Sequence, residues 1–160
     1  MIEKQKLLTE FHTEFQKVQK ELKFKSTFQQ LEDIFFLNDM ILKTGYVSSN
    51  LSRQLSSRIV DLFNSWAWYL HGLILPNPQN MLQITEAEMF SDEEKRDFNE
   101  LMKQAMIFSS RNSFIGLSKV KKEEAKFIDD SVVFWNEKLL PKLLIIMKKV
   151  NVKWTEEKIF

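Results

Sequence analysis

The sequence predicts an all-α protein, a single-domain bundle of about five helices that covers residues 1–160. Only three glycines and three prolines occur in 160 residues, which leaves little material for tight turns and β-hairpins. Hydrophobic residues make up 44% of the chain, enough for one core but too little for two comfortable ones. Apolar residues also recur at spacings of three and four, the period of an amphipathic helix.

Two helices are predicted before Gly45. The apolar stripe of the first consists of Leu8, Phe11, Phe15, Val18 and Leu22. The second begins at Ser26 or Thr27, both good N-cap residues, and ends near Gly45, because glycine adopts the left-handed conformation that terminates helices. Its apolar positions are Phe28, Leu31, Ile34, Phe35 and Ile41.

A third helix is predicted to begin at Ser48 or Ser49. Its apolar positions are Leu51, Leu55, Ile59, Leu62, Trp66, Tyr69 and Leu73. After Ile59 most faces are hydrophobic, so we expect this half, with Trp66 and Tyr69, to pack in the core. Trp68 instead faces the side that carries Arg58, Asp61 and Ser65, which makes it the candidate for an interface.

The remaining helices follow a break at Pro76 and Pro78. Thr85 and Glu88 are predicted to cap a short turn, and Ser91 with Glu94 forms a capping box that begins the fourth helix. The core face of that helix is Phe98, Leu101, Ala105, Phe108 and Ile115, with Gly116 just past its end. The last helix carries Ala125, Ile128, Val132, Trp135, Leu139, Leu143, Ile146 and Val150, and Pro141 must kink it or start a new segment.

The composition argues against several classes of function. Without cysteine, and with His12 and His71 far apart and outside any Glu-x-x-His motif, the chain is predicted to bind no metal and no cofactor. A net charge of +1 disfavours generic nucleic-acid binding. The longest apolar runs fall short of the roughly 20 residues that span a bilayer, and the charged N-terminal stretch is unlike a signal peptide. These features predict a cytoplasmic protein with no membrane contact.

One stretch, Phe108 to Lys119 with the sequence FSSRNSFIGLSK, places Arg111 and Asn112 on the core-facing stripe. A guanidinium there needs partners, so we expect Arg111 to bind the last carbonyls of its own helix and an acid such as Asp61 or Asp129. Other polar positions could join these two residues in a candidate polar site, namely Arg58, Asp61, Asn64 and His71.

The segment RNSFIG, followed by a long amphipathic helix, resembles the HEPN superfamily of small α-helical bundles. The signature of that superfamily is an arginine, a polar residue, three further residues and a histidine. This chain matches at Arg111 and Asn112 but has Gly116 at the position of the histidine. The resemblance implies an RNA-directed protein, and in the ribonuclease members the arginine and histidine of two protomers meet at a dimer interface. Without the histidine there is no general base, so the motif is degenerate for cleavage.

Two functions follow from these observations. The leading hypothesis is a non-catalytic helical module that binds a protein partner or forms a homodimer, because catalytic constellations are missing and aromatic residues are abundant. The alternative is a HEPN-like RNA-binding protein or ribonuclease of the toxin or defence type. An exposed basic cleft around Arg111 would favour the alternative, and a buried Arg111 beside an apolar surface would favour the first.

Overall fold

The computed structural model describes residues 1–156, and this part of the chain is all-α, as the sequence predicts. The helices are α1 (Ile2–Leu22), α2 (Phe28–Phe35), α3 (Leu37–Thr44), α4 (Leu51–Ile74), α5 (Met81–Ala87), α6 (Asp92–Ser118), α7 (Lys121–Phe134) and α8 (Leu140–Glu156). A π-helical segment, Trp135–Leu139, joins α7 to α8 without interruption. Residues 1–156 therefore contain seven separate helices, and the prediction of about five was too low.

One of the two extra helices arises at Phe36. Its backbone is left-handed, with φ 54° and ψ 57°, so the predicted second helix is divided into α2 and α3. The side chain of Arg58 supports this break, because its Nε donates a hydrogen bond of 2.7 Å to the carbonyl oxygen of Phe35. The predicted ends of the segment are confirmed: Thr27 forms a capping box with Gln30, and Gly45 terminates α3 at φ 79°.

The other extra helix is α5. The side chain of Asn80 caps it by accepting a hydrogen bond from the N–H of Gln83. The prediction that Thr85 caps a short turn was wrong, because Thr85 lies inside α5 and donates its hydroxyl to the carbonyl of Met81. Asparagine is as good an N-cap as threonine, and the sequence pattern did not separate the two positions.

In the second half of α4 the buried face differs in part from the predicted one. The buried positions are Phe63, Ala67, Leu70 and Leu73, whereas Trp66 and Tyr69 are half-buried. The hydroxyl of Tyr69 bonds to the carboxylate of Glu86 at 3.2 Å. Burial raises the pKa of Tyr69 above its ordinary value, and the Glu86 carboxylate raises it further.

Helix α6 begins at the predicted capping box of Ser91 and Glu94, and its five predicted core residues are buried. It continues through Gly116 to Ser118 and ends at Lys119, whose φ is 58° and whose N–H bonds to the carbonyl of Ile115. The prediction that Gly116 lies past the end of the helix was therefore wrong. A lysine in the left-handed conformation ends the helix instead.

The π-helical segment lies directly before Pro141. Proline has no N–H, and its ring clashes with the carbonyl four residues earlier in a regular α-helix, which here is the carbonyl of Glu137. A wider turn that includes Glu137 accommodates that clash without ending the helix.

The chain forms two compact units. Unit 1 comprises residues 1–62 and 108–133. The buried rings of Phe11 and Phe15 each meet the half-buried ring of Phe28 edge to face, at 5.7 and 5.1 Å. Unit 2 comprises residues 63–107 and the described part of 134–160. Its ring pairs are Phe63 with Phe134 at 5.2 Å and Phe90 with Phe98 at 4.9 Å.

None of the helices within residues 1–156 combines the length and the apolar character that crossing a membrane requires.

Candidate functional site

Arg111 lies in α6 within unit 1, with 29% of its side chain exposed. Its Nη2 donates to the carboxylate of Asp130 in α7 at 3.0 Å. The guanidinium also lies over the rings of Phe108 and Phe127, 5.3 and 5.6 Å from their centres. Arg111 thus has an acidic partner as predicted, but the acid is Asp130 rather than Asp61 or Asp129.

Asp129, the neighbour of that acid, has a different role. Its carboxylate accepts hydrogen bonds from the backbone N–H groups of Lys25 and Ser26 and from the hydroxyl of Ser26, at 2.6 to 3.0 Å. These bonds fix the connection between α1 and α2 onto α7. The carboxylate of Asp129 therefore binds backbone N–H groups, and the apolar spacing of a helix cannot predict such a contact.

The backbone carbonyl at Asn112 is bound by Arg53 of α4, whose Nη2 donates to it at 3.1 Å. We predicted that Arg111 would bind the last carbonyls of α6. Its hydrogen bond goes to Asp130 instead, and the carbonyl that Arg53 binds lies six residues before the helix ends at Ser118. The side-chain Oδ1 of Asn112 is buried and has no hydrogen-bond partner within residues 1–156.

Arg53 also occupies the space beside Gly116. A Cβ added to Gly116 would lie 2.9 Å from Nη2 of Arg53, closer than normal carbon contacts allow. The other terminal nitrogen of Arg53 pairs with Glu124 at 3.3 Å, and the hydroxyl of Ser52 donates to the same carboxylate. Only 4% of the Glu124 side chain is exposed, whereas Arg53 keeps 27%, so the ionic contact is partly buried. The guanidinium of Arg53 therefore lies beside the backbone of Gly116.

Arg58 and Asp61, two further predicted site residues, line a recess of about 450 Å³ in unit 1. The recess is also lined by Lys43, Arg53 and the exposed ring of Tyr46. Arg111 lines a different and smaller recess, of about 380 Å³, with Ser110, Phe114, Ile115 and Glu123. The structure therefore brings Arg58 and Asp61 together, and it places Arg111 in a recess of mixed charge rather than in a basic cleft.

The remaining predicted site residues lie in unit 2. The ring of His71 meets that of Trp68 edge to face at 5.7 Å. Asn64 is half-buried, and its Oδ1 has no hydrogen-bond partner within the described residues. Trp68 is the most exposed of these side chains, with 72% of its surface accessible. His12, the other histidine, bonds to Asn38 in unit 1 at 3.0 Å.

No group of three or more histidine, cysteine, aspartate or glutamate side chains within residues 1–156 is arranged to hold a metal ion.

Sequence reasoning missed a groove between α6 and α8 in unit 2, with a volume of about 510 Å³, which we call the α6–α8 groove. The side chains of α6 that line it include Glu94, Asp97, Glu100 and Gln104, and those after Phe134 include Glu137, Lys138, Lys142, Ile145 and Lys149. Phe98, Leu101 and Ile146 are the buried apolar residues beneath it. The sequence shows residues spaced by three and four along each of the two helices, but it does not show that these two helices lie side by side and form a groove.

Glu94 and Lys149 join the two walls at one end of the α6–α8 groove. The ammonium of Lys149 donates to both carboxylate oxygens of Glu94, at 3.0 and 3.1 Å, and lies 5.0 Å from the ring centre of Phe90. The pKa of Glu94 is lower than usual, chiefly because the backbone N–H of Ser91 donates to its carboxylate and next because Lys149 does. This carboxylate therefore both caps α6 and ties it to α8.

Comparison of the chain with models of protein families, with curated proteins and with solved structures gives no match.

Proposed function

We propose that this protein is a non-catalytic helical protein whose role is to associate with a protein partner or with a second copy of itself. The observation that carries the proposal is the 72% exposure of Trp68. Tryptophan is among the residue types most enriched at the positions that dominate binding energy in interfaces. A partner that covered Trp68 would remove a large aromatic surface from water.

Trp68 belongs to a group of exposed apolar side chains in unit 2 that we call the Trp68 patch, consisting of Trp68, Leu75, Met81 and Leu82. Leu75 follows Trp68 by two helical turns and continues the same face, since its N–H still bonds to the carbonyl of His71. Helix α5 lies against this face, because Gln83 fills the space that a Cβ on Gly72 would need. Exposed apolar groups of this kind are typical of protein interaction sites.

The test of this proposal is Trp68→Ala. The exposed ring supports little of the fold, so the free energy of unfolding should change by less than about 1 kcal/mol. Association through the Trp68 patch should weaken by about tenfold or more, the effect expected of an interface anchor. The measurements are sedimentation velocity for self-association and capture of partners from a cell lysate on the immobilised variant.

Phe114→Ala is the matched control, because Phe114 is an equally exposed aromatic residue in unit 1, outside the Trp68 patch. It should leave association unchanged. If the wild-type protein is monomeric at every concentration and Trp68→Ala retains every polypeptide that the wild type retains, the proposal is wrong.

The cytoplasmic location stays a prediction from the sequence.

The second candidate function is RNA binding of the HEPN-like kind, without cleavage. It is favoured by the recess in unit 1, where Lys43, Arg53 and Arg58 lie beside the exposed ring of Tyr46. Cations of this kind bind phosphates, and an exposed ring can stack on a base. Cleavage is not part of this candidate, since Gly116 supplies no general base.

Lys43→Glu tests the RNA candidate, with Lys17→Glu as the control. Both lysines are exposed and pair with an acid on their own helix, Lys43 with Asp39 and Lys17 with Glu14. If the recess binds RNA, only Lys43→Glu should lower the affinity for a single-stranded oligonucleotide in fluorescence anisotropy, and wild-type affinity should fall with salt. Equal affinities for the two variants would reject this candidate.

A further inference from the structure

We propose that the α6–α8 groove is a self-association surface that binds the same groove of a second copy of this chain. The inference goes beyond the proposed function, because it names a second association surface, separate from the Trp68 patch, and a second copy of the chain as its occupant. It depends on the charge pattern of the two walls, on the symmetry that this pattern allows, and on the apolar side chains that the groove leaves exposed.

The two walls of the α6–α8 groove carry opposite charge. The α6 wall presents Glu94, Asp97 and Glu100, spaced three apart on one face of the helix. The basic residues of the same part of α6, Lys95, Arg96 and Lys103, do not line the groove. The opposite wall presents Lys138, Lys142 and Lys149, with Glu137 as the one acid among its lining residues. From residue 138 to residue 155 the chain contains five lysines and no aspartate or glutamate.

This distribution is self-complementary under one particular two-fold axis. Glu94 near the start of α6 pairs with Lys149, and the groove lining runs from there forward along α6 to Gln104 and backward along the other wall to Glu137. The two walls therefore run antiparallel. An axis parallel to both helices and above the groove would place the α6 wall of one copy over the lysine wall of the other, at the same level. Glu100 would then face Lys142 of the second copy, and the symmetry would repeat this contact on the other side.

Apolar side chains lie where such a dimer needs them. Ile145, which lines the groove, keeps 66% of its surface exposed, and Pro141, one turn earlier on the same wall, is also exposed. In a dimer these residues would be covered at the centre of the contact, with the charged walls around them. Stable interfaces have this arrangement, an apolar centre within a polar rim.

The same charges argue against other occupants. A nucleic-acid backbone would approach the lysine wall but would be repelled by the carboxylates of the α6 wall. A helix of uniform charge would be attracted by one wall and repelled by the other, whereas a second copy satisfies both walls at once.

The experiment compares two charge reversals, Lys142→Glu and Glu100→Lys, by sedimentation velocity over a range of concentrations. The wild type should dimerise, and each variant alone should have a dissociation constant raised by about tenfold or more, because each homodimer would contain two contacts between like charges. In an equimolar mixture, each contact would again join Glu with Lys. The mixture should therefore recover dimers, now heterodimers of the two variants.

Lys103→Glu is the matched control, because it makes the same charge change on α6 at an exposed position that does not line the groove. It should dimerise like the wild type. All three replaced residues are exposed, and lysine and glutamate are both good helix formers, so each variant should fold. Circular dichroism of each variant checks this.

The outcomes separate this inference from the proposed function. If the wild type dimerises and neither charge reversal weakens the dimer, the groove is not the contact surface. Self-association itself would still be supported. A wild-type monomer at every concentration would also overturn it, while partner capture that depends on Trp68 would still support the proposed function. Weakened variants that fail to recover dimers when mixed would overturn the two-fold arrangement and with it this proposal.

Discussion

For Arg111 the sequence predicts which way the side chain faces, but it does not predict which residues the side chain contacts. The helical period predicts that it faces the core, and the structure shows it half-buried, with its guanidinium over the rings of Phe108 and Phe127. The period could not decide between Asp129 and Asp130, because adjacent residues on α7 differ by 100° and the rotation of α7 relative to α6 is set by tertiary packing. Asp130 pairs with Arg111, and Asp129 binds the backbone at Lys25 and Ser26.

Arg111→Ala should lower the free energy of unfolding by about 1 to 2 kcal/mol. The loss stays below that of a fully buried pair because both Arg111 and Asp130 remain partly exposed. Denaturant melts give this value, and Asp130→Asn with the double variant completes a cycle that isolates the ion pair. A loss above about 3 kcal/mol would show that the guanidinium is more completely buried than its exposure indicates.

Gly116→Ala should lower the free energy of unfolding, by about 1 to 3 kcal/mol, although alanine is the better helix former. The added Cβ would displace Arg53 and thereby disturb its contact with the buried Glu124. The control introduces Gly116→Ala into Arg53→Ala protein, where the same change should be neutral or stabilising because the crowding is gone. Equal losses in both backgrounds would mean that Arg53 is not the cause.

At the scale of elements, the sequence predicted where helices begin better than where they divide. The predicted N-cap at Thr27 and the predicted capping box of Ser91 and Glu94 each join a side chain to a backbone N–H three residues away, so a local pattern is enough to find them. The division at Phe36 left no such signal, because apolar residues continue at helical spacing from Ile34 and Phe35 to Ile41. Its support comes from Arg58, which lies 23 residues away in the sequence.

The left-handed backbone at Phe36 leads us to expect different stabilities for the variants Phe36→Gly and Phe36→Ala. A non-glycine residue at φ 54° is strained, whereas glycine adopts that conformation freely. Phe36→Gly should therefore be more stable than Phe36→Ala by about 1 kcal/mol in thermal or denaturant melts. The exposed ring of Phe36 is lost in both variants, so their difference reports the backbone. The reverse order of stability would contradict the left-handed conformation.

The lowered pKa of Glu94 leads us to expect a specific dependence of protein stability on pH. Its folded-state pKa lies below the ordinary value of 4.5, so it stabilises the fold above that pH, and this contribution is lost as the pH falls through the folded-state pKa. Glu94→Gln removes the titration but keeps a side chain able to accept a bond from Ser91. Between about pH 5 and pH 3, dilute wild-type protein should lose more stability than Glu94→Gln in denaturant melts. Parallel losses in the two proteins would show that Glu94 does not titrate as described.

At the scale of the whole molecule, composition and period were sufficient for the all-α class, because scarce glycine and proline and a continuous three-four spacing leave few alternatives. They were not sufficient for the candidate sites. Glu100 and Lys142 belong to opposite walls of one groove although 42 positions separate them, and Arg53 reaches a carbonyl 59 positions away. Contacts at such separations depend on how helices pack, which local periodicity does not encode.

Unit 1 is built from two stretches that are separated in the sequence, and this affects how it folds while the chain is being synthesised. Residues 1–62 leave the ribosome well before residues 108–133, with which they complete this unit, and 45 residues of unit 2 lie between them. At synthesis rates of about 5 to 20 residues per second, that interval lasts roughly 2 to 9 seconds. During this time Asp129 is absent, and the N–H groups of Lys25 and Ser26 have only water to bind. The nascent chain therefore presents the apolar faces of α1 to α3 without the helix that later fixes them, and this is the stage at which a chaperone would be needed most.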